Sequence, residues 1–315
     1  MKLVKVVGVV AASVAIIATA FIQIPRVFSQ SNEDLLLIAR EGTKNTAAMI
    51  KSGSGKVTQH LWTKNKNGGI SEAEIVYTLM FSGNKFRLLA DESIIQNNPG
   101  SGEDGKLLLS PGSKIHFQAA YDGDSMTIYY PDEEAANIIK SNATDKPIRY
   151  WQDIGLPAFE FRELSPAEGS AVAKRESVNG ISYIIVDWSN TTSSTKYGNI
   201  TNTWTGWLDP EKGFTVSKFQ VYGKAETVHK DPVLLEDARI DVRDYGSGLW
   251  GPVKYTKVSY RPDKDGEMQK VREATVTYEP DFHVNIPLSD DQLSLNLPSG
   301  TKVVDELLDA KYTVQ

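Results

Sequence analysis

Gly100-x-Gly102-x-x-Gly105 matches the pattern in which glycines let backbone amides close on a dinucleotide pyrophosphate. That chemistry needs a strand before the loop and a helix N-terminus after it. Asn97-Asn98-Pro99 precedes the motif and Lys106-Leu107-Leu108-Leu109-Ser110-Pro111 follows it, so it reads as a glycine-rich loop. Asp263-x-Asp265-Gly266-Glu267 gathers carboxylates as a calcium loop does, but it lacks the further ligands and the distant bidentate Glu, and it reads as a solvated hairpin turn. His60, His116, His229 and His283 never take the i, i+4 spacing of a zinc helix. Ser193-Ser194-Thr195-Lys196 fits S-x-x-K without its partner motifs, and no G-x-S-x-G elbow occurs. Glu133-Glu134 and Asp290-Asp291 are carboxylate pairs of a kind common in acidic chains. No catalytic residue, metal or cofactor is expected from these residues, and the chain is read as non-enzymatic.

The residues that stand out are aromatic and lie in strand-like runs: Tyr77, Phe81, Phe86, Tyr121, Tyr129, Tyr130, Tyr183, Trp188, Trp204, Trp207, Phe214, Phe219 and Tyr222. Most of them are expected in a core. The net charge is −6 with basic residues scattered among acids, which offers no face for phosphates and excludes nucleic acid as an expected partner. Cysteine is absent, which removes disulfides, thiolate ligands, cysteine nucleophiles and thiol lipidation together.

Lys2 and Lys5 precede a charge-free run from Val6 to Ile22, followed by Pro25, Arg26 and the small-residue site Val27-Phe28-Ser29. This is the pattern of an export signal. The run is long for a signal core and marginal for a membrane span, so residues 1–29 are either cleaved or retained as an N-terminal anchor. Both outcomes export the body, with the lysines on the cytoplasmic side. A periplasmic or other extracytoplasmic envelope location is therefore expected, with any membrane contact transient or through the uncleaved N-terminal segment. The N-x-[ST] sequons at Asn142, Asn190 and Asn199 are read as chance matches in a bacterial envelope protein.

Ser31 and Asp34 form a capping-box pattern, and Leu35, Ile38, Ala39, Met49 and Ile50 recur at helical spacing, predicting one helix over 32–51. Ser52-Gly53-Ser54-Gly55 is expected to break it. From Lys56 onward, alternating apolar and polar runs are punctuated by turn residues, which predicts an antiparallel meander packed on that helix. Ile75, Tyr77, Leu79 and Phe81 share one face, and Phe86, Leu88 and Ala90 return after Ser82-Gly83-Asn84. Ile115, Phe117, Ala119 and Tyr121 lead into Asp122-Gly123, and Met126, Ile128 and Tyr130 return from it. Leu293-Ser294-Leu295-Asn296-Leu297 reads as a last strand. Residues 30–315 are expected to form a single mainly β domain of α+β type.

Taken in order, these features resemble the bacterial lipoprotein-carrier-like superfamily, the LolA-like, LolB-like and RseB N-terminal-domain-like envelope proteins. The resemblance rests on the export signal, the helix ending at Met49-Ile50-Lys51, and the strand Gly55-Lys56-Val57-Thr58-Gln59. It continues through Phe81-Ser82-Gly83-Asn84-Lys85-Phe86-Arg87, Tyr121-Asp122-Gly123, Ile128-Tyr129-Tyr130-Pro131 and Trp207-Leu208-Asp209-Pro210 with Gly213-Phe214. It covers residues 31–230 and the closing Leu295–Val304 segment. The body is longer than the family's carrier, with insertions near 142–170 and 231–251, and no match to the carrier's lid-holding arginine is found.

The resemblance implies an incomplete antiparallel half-barrel of roughly eleven strands, with the N-terminal helix on its concave side and an apolar concavity that takes acyl chains. The residues expected to line that concavity are Ile75, Tyr77, Leu79, Phe81, Phe86, Leu88, Ile128 and Tyr130. The implied function is an envelope protein holding an acyl chain, lipid or lipidated peptide. A sensor or interaction module that binds a protein through an edge strand is the alternative.

Overall fold

The computed structural model describes residues 31–64, 68–97, 116–140, 171–195, 197–225, 227, 229–263 and 266–315. Residues 1–29, read above as an export signal, the glycine motif at 100–105 and the stretch 142–170, read as an insertion, lie outside the described residues.

Helix α1 spans Asn32–Met49. Ser31 Oγ accepts from the Asp34 amide at 3.1 Å, and Asp34 Oδ2 accepts from the Ser31 amide at 3.1 Å, so two donors that a helix start leaves unpaired are satisfied reciprocally. Leu35, Ala39 and Ile50 bury its apolar stripe. Gly42 sits where the helix crosses the aromatic ring of Phe214, and a Cβ there would lie 2.3 Å from Phe214 Cγ. Helix propensity alone would make Gly42→Ala stabilising by about 1 kcal/mol. Because the near end of the ring must move, the substitution is expected instead to lose about 1–3 kcal/mol, as overpacking does. Urea denaturation decides the sign, and a gain in stability would show that Phe214 yields freely.

The strands follow as β1 (Ser52–Lys64), β2 (Ile70–Ser82), β3 (Lys85–Asn97), β4 (Phe117–Tyr121), β5 (Ser125–Tyr130) and β6 (Ala135–Lys140). Next come β7 (Ala171–Val178), β8 (Ile181–Ser194), β9 (Gly198–Asp209), β10 (Thr215–Ala225), β11 (His229–Asp244), β12 (Trp250–Pro262) and β13 (Met268–Tyr278). The chain closes with β14 (His283–Val284), the single-turn helix α2 (Asp290–Leu293), β15 (Lys302–Asp305) and β16 (Ala310–Thr313). Among the described residues all belong to one 16-stranded sheet, ordered β16-β15-β6-β5-β4-β3-β2-β1-β13-β12-β11-β10-β9-β8-β7 with β14 on β1, against the roughly eleven strands expected. The sheet is open, since β16 and β7 end the path without pairing among the described residues.

Every described pairing is antiparallel except β15 with β6. The chain leaves the centre at β1, runs outward to β6, resumes at the opposite edge with β7 and returns to the centre at β13, so two meanders meet at β1 and β13. One face of nearly the whole sheet feeds a single core: Leu79 and Leu88 from one half, Ile184, Leu208 and Ile240 from the other, with Leu35 and Ile50 from the helix side. A face whose two halves share one core is concave. The half-barrel with its helix on the concave side is the architecture observed.

Two local expectations are corrected. Ser52–Gly55 begins β1 rather than a loop, because Gly53 and Gly55 leave room for Phe81 and Phe282 to lie against the strand. Leu293–Leu297 is not a strand: Leu293 ends α2, and Leu295 and Leu297 alternate as expected but lie over the convex face, against Tyr129, Ala136 and Val303. The stretch 231–251 continues β11 and turns into β12 in register.

The Asp122-Gly123 hairpin has the side-chain chemistry that such a turn requires. Asp122 Oδ1 accepts from the Asp124 and Ser125 amides at 2.9 and 2.8 Å. Burial pushes its carboxyl up, but these hydrogen bonds and that from Ser125 Oγ outweigh burial and hold it below its ordinary 3.8.

Candidate functional site

The residues whose types and spacing suggested chemistry are dispersed by the fold. His60 Nδ1 meets Glu74 at 3.3 Å, His116 Nδ1 meets Asp132 at 3.2 Å, and His283 pairs with Ser54 across β14. Ser193 Oγ donates to Asn199 Oδ1 at 3.0 Å within the β8–β9 hairpin, and Asp290 holds Lys85 at 2.8 Å. Among the described residues no three His, Asp or Glu side chains converge as metal ligands, and no helix is long and apolar enough to cross a membrane.

Seven of the eight residues expected to line the concavity share one packed cluster, which does not include Tyr130. Ile75, Tyr77, Leu79, Phe81, Phe86, Leu88 and Ile128 belong to, or pack against, one cluster on the concave face. Leu79 faces Leu88 and Phe81 faces Phe86 in register, and Phe86 stacks on Tyr121 at 5.5 Å. They are not equivalent, however. Leu79 is 0% exposed, Leu88 1%, Tyr77 2%, and Phe81 and Phe86 8% each, so these five are fully packed. Burial holds the Tyr77 phenol well above its ordinary 10.0, so it faces the core neutral. Ile75, Ile128 and Tyr130 are only half-buried.

The difference follows position along the strands. At one end of the trough the β1 start, the β2–β3 turn and the β11–β12 turn meet, and Ile50, Phe81, Tyr245, Leu249 and Phe282 fill the space. Tyr278 meets Phe282 edge-on at 4.9 Å, and Arg243 donates to the Phe282 carbonyl at 2.7 Å. Toward the other end, burial falls on several strands, although Gln59, Val276 and Tyr255, in one register row with Ile75, stay fully packed. On β2 it falls from Leu79 to Ile75, on β8 from Ile184 to Trp188, and on β9 from Leu208 to Trp204. On β8 and β9 antiparallel register places the half-buried positions at the same end, because Trp188 is the partner of Trp204 and Ile184 that of Leu208.

Phe117 on β4, Tyr130 on β5 and Leu235 on β11 are half-buried apolar residues toward that end, whereas half-buried Ile128 lies level with Ala119, Leu88 and Leu79. Trp188 and Trp204 stack at 6.1 Å and 10°, with Phe219 5.9 Å from Trp188. Just beyond the rim on the same face, Lys257 pairs with Glu236 at 3.5 Å, so polar groups mark the mouth.

Helix α1 does not lie over this mouth. It packs against β7 and β8, with Asn32 Oδ1 accepting from the Ala173 amide, and its last turns reach the closed end, where Thr46 donates to the Gly213 carbonyl. Gly213 takes the left-handed conformation that ends the short 3-10 turn Pro210–Lys212, and Asp209 caps that turn by accepting from the Glu211 amide at 3.1 Å. The helix is thus held at the closed end of the trough by the hairpin that Asp209-Pro210 and Gly213-Phe214 build.

Strand alternation alone finds the concave face but not its mouth. Trp188, Trp204, Phe117 and Leu235 are the rim residues absent from the expected lining set. The signal that separates them from the packed set is inter-strand register, which links strands far apart in sequence.

The molecule is an open antiparallel half-barrel with a helix on its concave side, a face that is fully packed at one end and carries half-buried apolar residues such as Trp188 and Trp204 at the other. It is similar in structure to a LolA superfamily protein from Nitrosomonas europaea, with 13% sequence identity and a TM-score of 0.41 over 81% of this chain and 97% of that one. It is also similar to an uncharacterized conserved protein from Thermus thermophilus, with 9% identity and a TM-score of 0.30 over 86% of this chain and 99% of that one. No family model and no curated protein sequence matches the chain.

Proposed function

We propose that this chain is an exported, non-enzymatic envelope protein that holds an apolar ligand, an acyl chain of a lipid or lipidated protein, in the half-barrel with its headgroup at the mouth. The observation that carries this reading is the gradient of burial along the concave face, from packed Leu79, Ile184 and Leu208 to half-buried Ile75, Trp188 and Trp204. A core that served only stability would gain by covering such residues. Burying an acyl chain of about 300 Å² at about 25 cal/mol per Å² gives a gross driving force near 7 kcal/mol before association and ordering costs. That magnitude suits reversible carriage. Export rests on the Lys2–Ser29 pattern and places the site in the periplasm or another envelope compartment, tethered if that segment is retained.

The test is a fatty-acid fluorophore added to the purified protein. It should bind saturably and be displaced by lipid. Trp204→Ala should weaken binding about tenfold while lowering the melting temperature by only a few degrees, because the indole stands at the half-buried rim. No binding of the probe would move the assignment to the second reading, an interaction module without a lipid ligand. The close packing of Tyr77, Leu79, Phe81, Phe86 and Leu88 is the observation that favours that reading.

A further inference from the structure

The convex face, opposite the trough, carries a cleft of about 240 Å³ lined by His60, Trp62, Glu72, Glu74, Lys270 and Glu273 among its residues. Its centre is Trp62 on β1. The register places Glu72 of β2 on one side of the indole and Glu273 of β13 on the other, and alternation puts Glu74 on the same face. An ammonium already occupies this platform: Lys270 Nζ stands 4.5 Å from the centre of the Trp62 ring and pairs with Glu273. Glu74 is met by His60 Nδ1 at 3.3 Å, a partner that carries charge only when protonated. Glu72 meets no cation among the described residues. Three carboxylates and one lysine thus line the cleft, which is left with an excess of negative charge against an aromatic face.

We propose that this cleft binds an alkylammonium group, with Trp62 as the platform and Glu72 and Glu74 as the counter-charges, and that Lys270 occupies the platform until such a ligand displaces it. An indole face attracts organic cations through its quadrupole and offers no lone pair to a metal ion, so the combination with carboxylates selects an amine rather than a divalent cation. The volume equals that of about eight waters in the liquid, room for an ammonium with part of its alkyl chain. Such a group is carried by a free polyamine and by the lysine side chain of a basic peptide. Both present the same chemistry to Trp62. The site lies on the other face of the sheet from the trough and stands whether or not the trough holds a lipid.

Isothermal titration of the full chain with spermidine and, separately, with a tetralysine peptide at low ionic strength tests the assignment and distinguishes the two sources. Saturable binding of either ligand supports it, spermidine alone pointing to free amines and the peptide alone to a basic partner. Glu72→Gln should weaken that binding about tenfold, and Lys270→Met, which vacates the indole, should tighten it by a factor of about three to ten. Circular dichroism checks that both variants are folded. The assignment is overturned if neither ligand binds saturably. It is equally overturned if both variants leave the affinity unchanged while added salt abolishes it, the behaviour of diffuse attraction to a chain of net charge −6.

Discussion

Gly55→Ala is expected to destabilise the protein by about 3 kcal/mol, the upper end of the usual range for overpacking, and to lower its refolding yield. A Cβ at 55 would lie 2.4 Å from Phe282 Cα and 2.9 Å from the Asp281 carbonyl oxygen. These are backbone atoms, so no side chain can rotate away, and β1 would have to part from the segment after β13. That segment is the plug of the trough: Phe282 is fully buried, meets Tyr278 edge-on, and is held through its carbonyl by Arg243. Chemical denaturation measures the effect. A loss below about 1 kcal/mol would mean that the plug is loose and that the trough is open at both ends.

Leu79→Ala is expected to cost about 2–5 kcal/mol, the range for a fully buried leucine whose neighbours cannot collapse into the space. Leu79 is fully buried, faces Leu88 on β3 in register, and shares its core with Val57, Tyr77 and Val276. The loss should be the same before and after the protein is stripped of lipid, because protein atoms alone fill this part of the trough. Calorimetry on delipidated and untreated protein checks both statements. If the cost appears only in the untreated sample, Leu79 touches ligand and the packed zone described for β2 is too long.

Much of this architecture is legible in the sequence because it is written in local patterns. The Ser31–Asp34 capping box, the Asp122-Gly123 hairpin and the Asp209-Pro210 turn each report short-range chemistry, and each is found where it was expected. What is not legible depends on contacts between distant segments. Gly53 and Gly55 look like breakers until Phe81 and Phe282 are placed against them. Leu295 and Leu297 carry a strand's alternation, yet they cover the outer face of β5 and β6, which only the fold brings beneath them. The same limit applies to the site. Alternation assigns Ile75 and Leu79 to one face, but depth along the trough is set by pairing across many strands, and this separates rim from core. Trp62 gave no signal at all, since its carboxylate neighbours come from β2 and β13.

Whether the open end of the concave face holds an acyl chain is decided by a native mass spectrum of the protein purified from its own envelope. A population heavier than the polypeptide by the mass of one lipid or acylated ligand is expected, released on collisional activation and depleted in Trp204→Ala. A spectrum showing only the bare chain, unchanged after incubation with lipid extract, would contradict it.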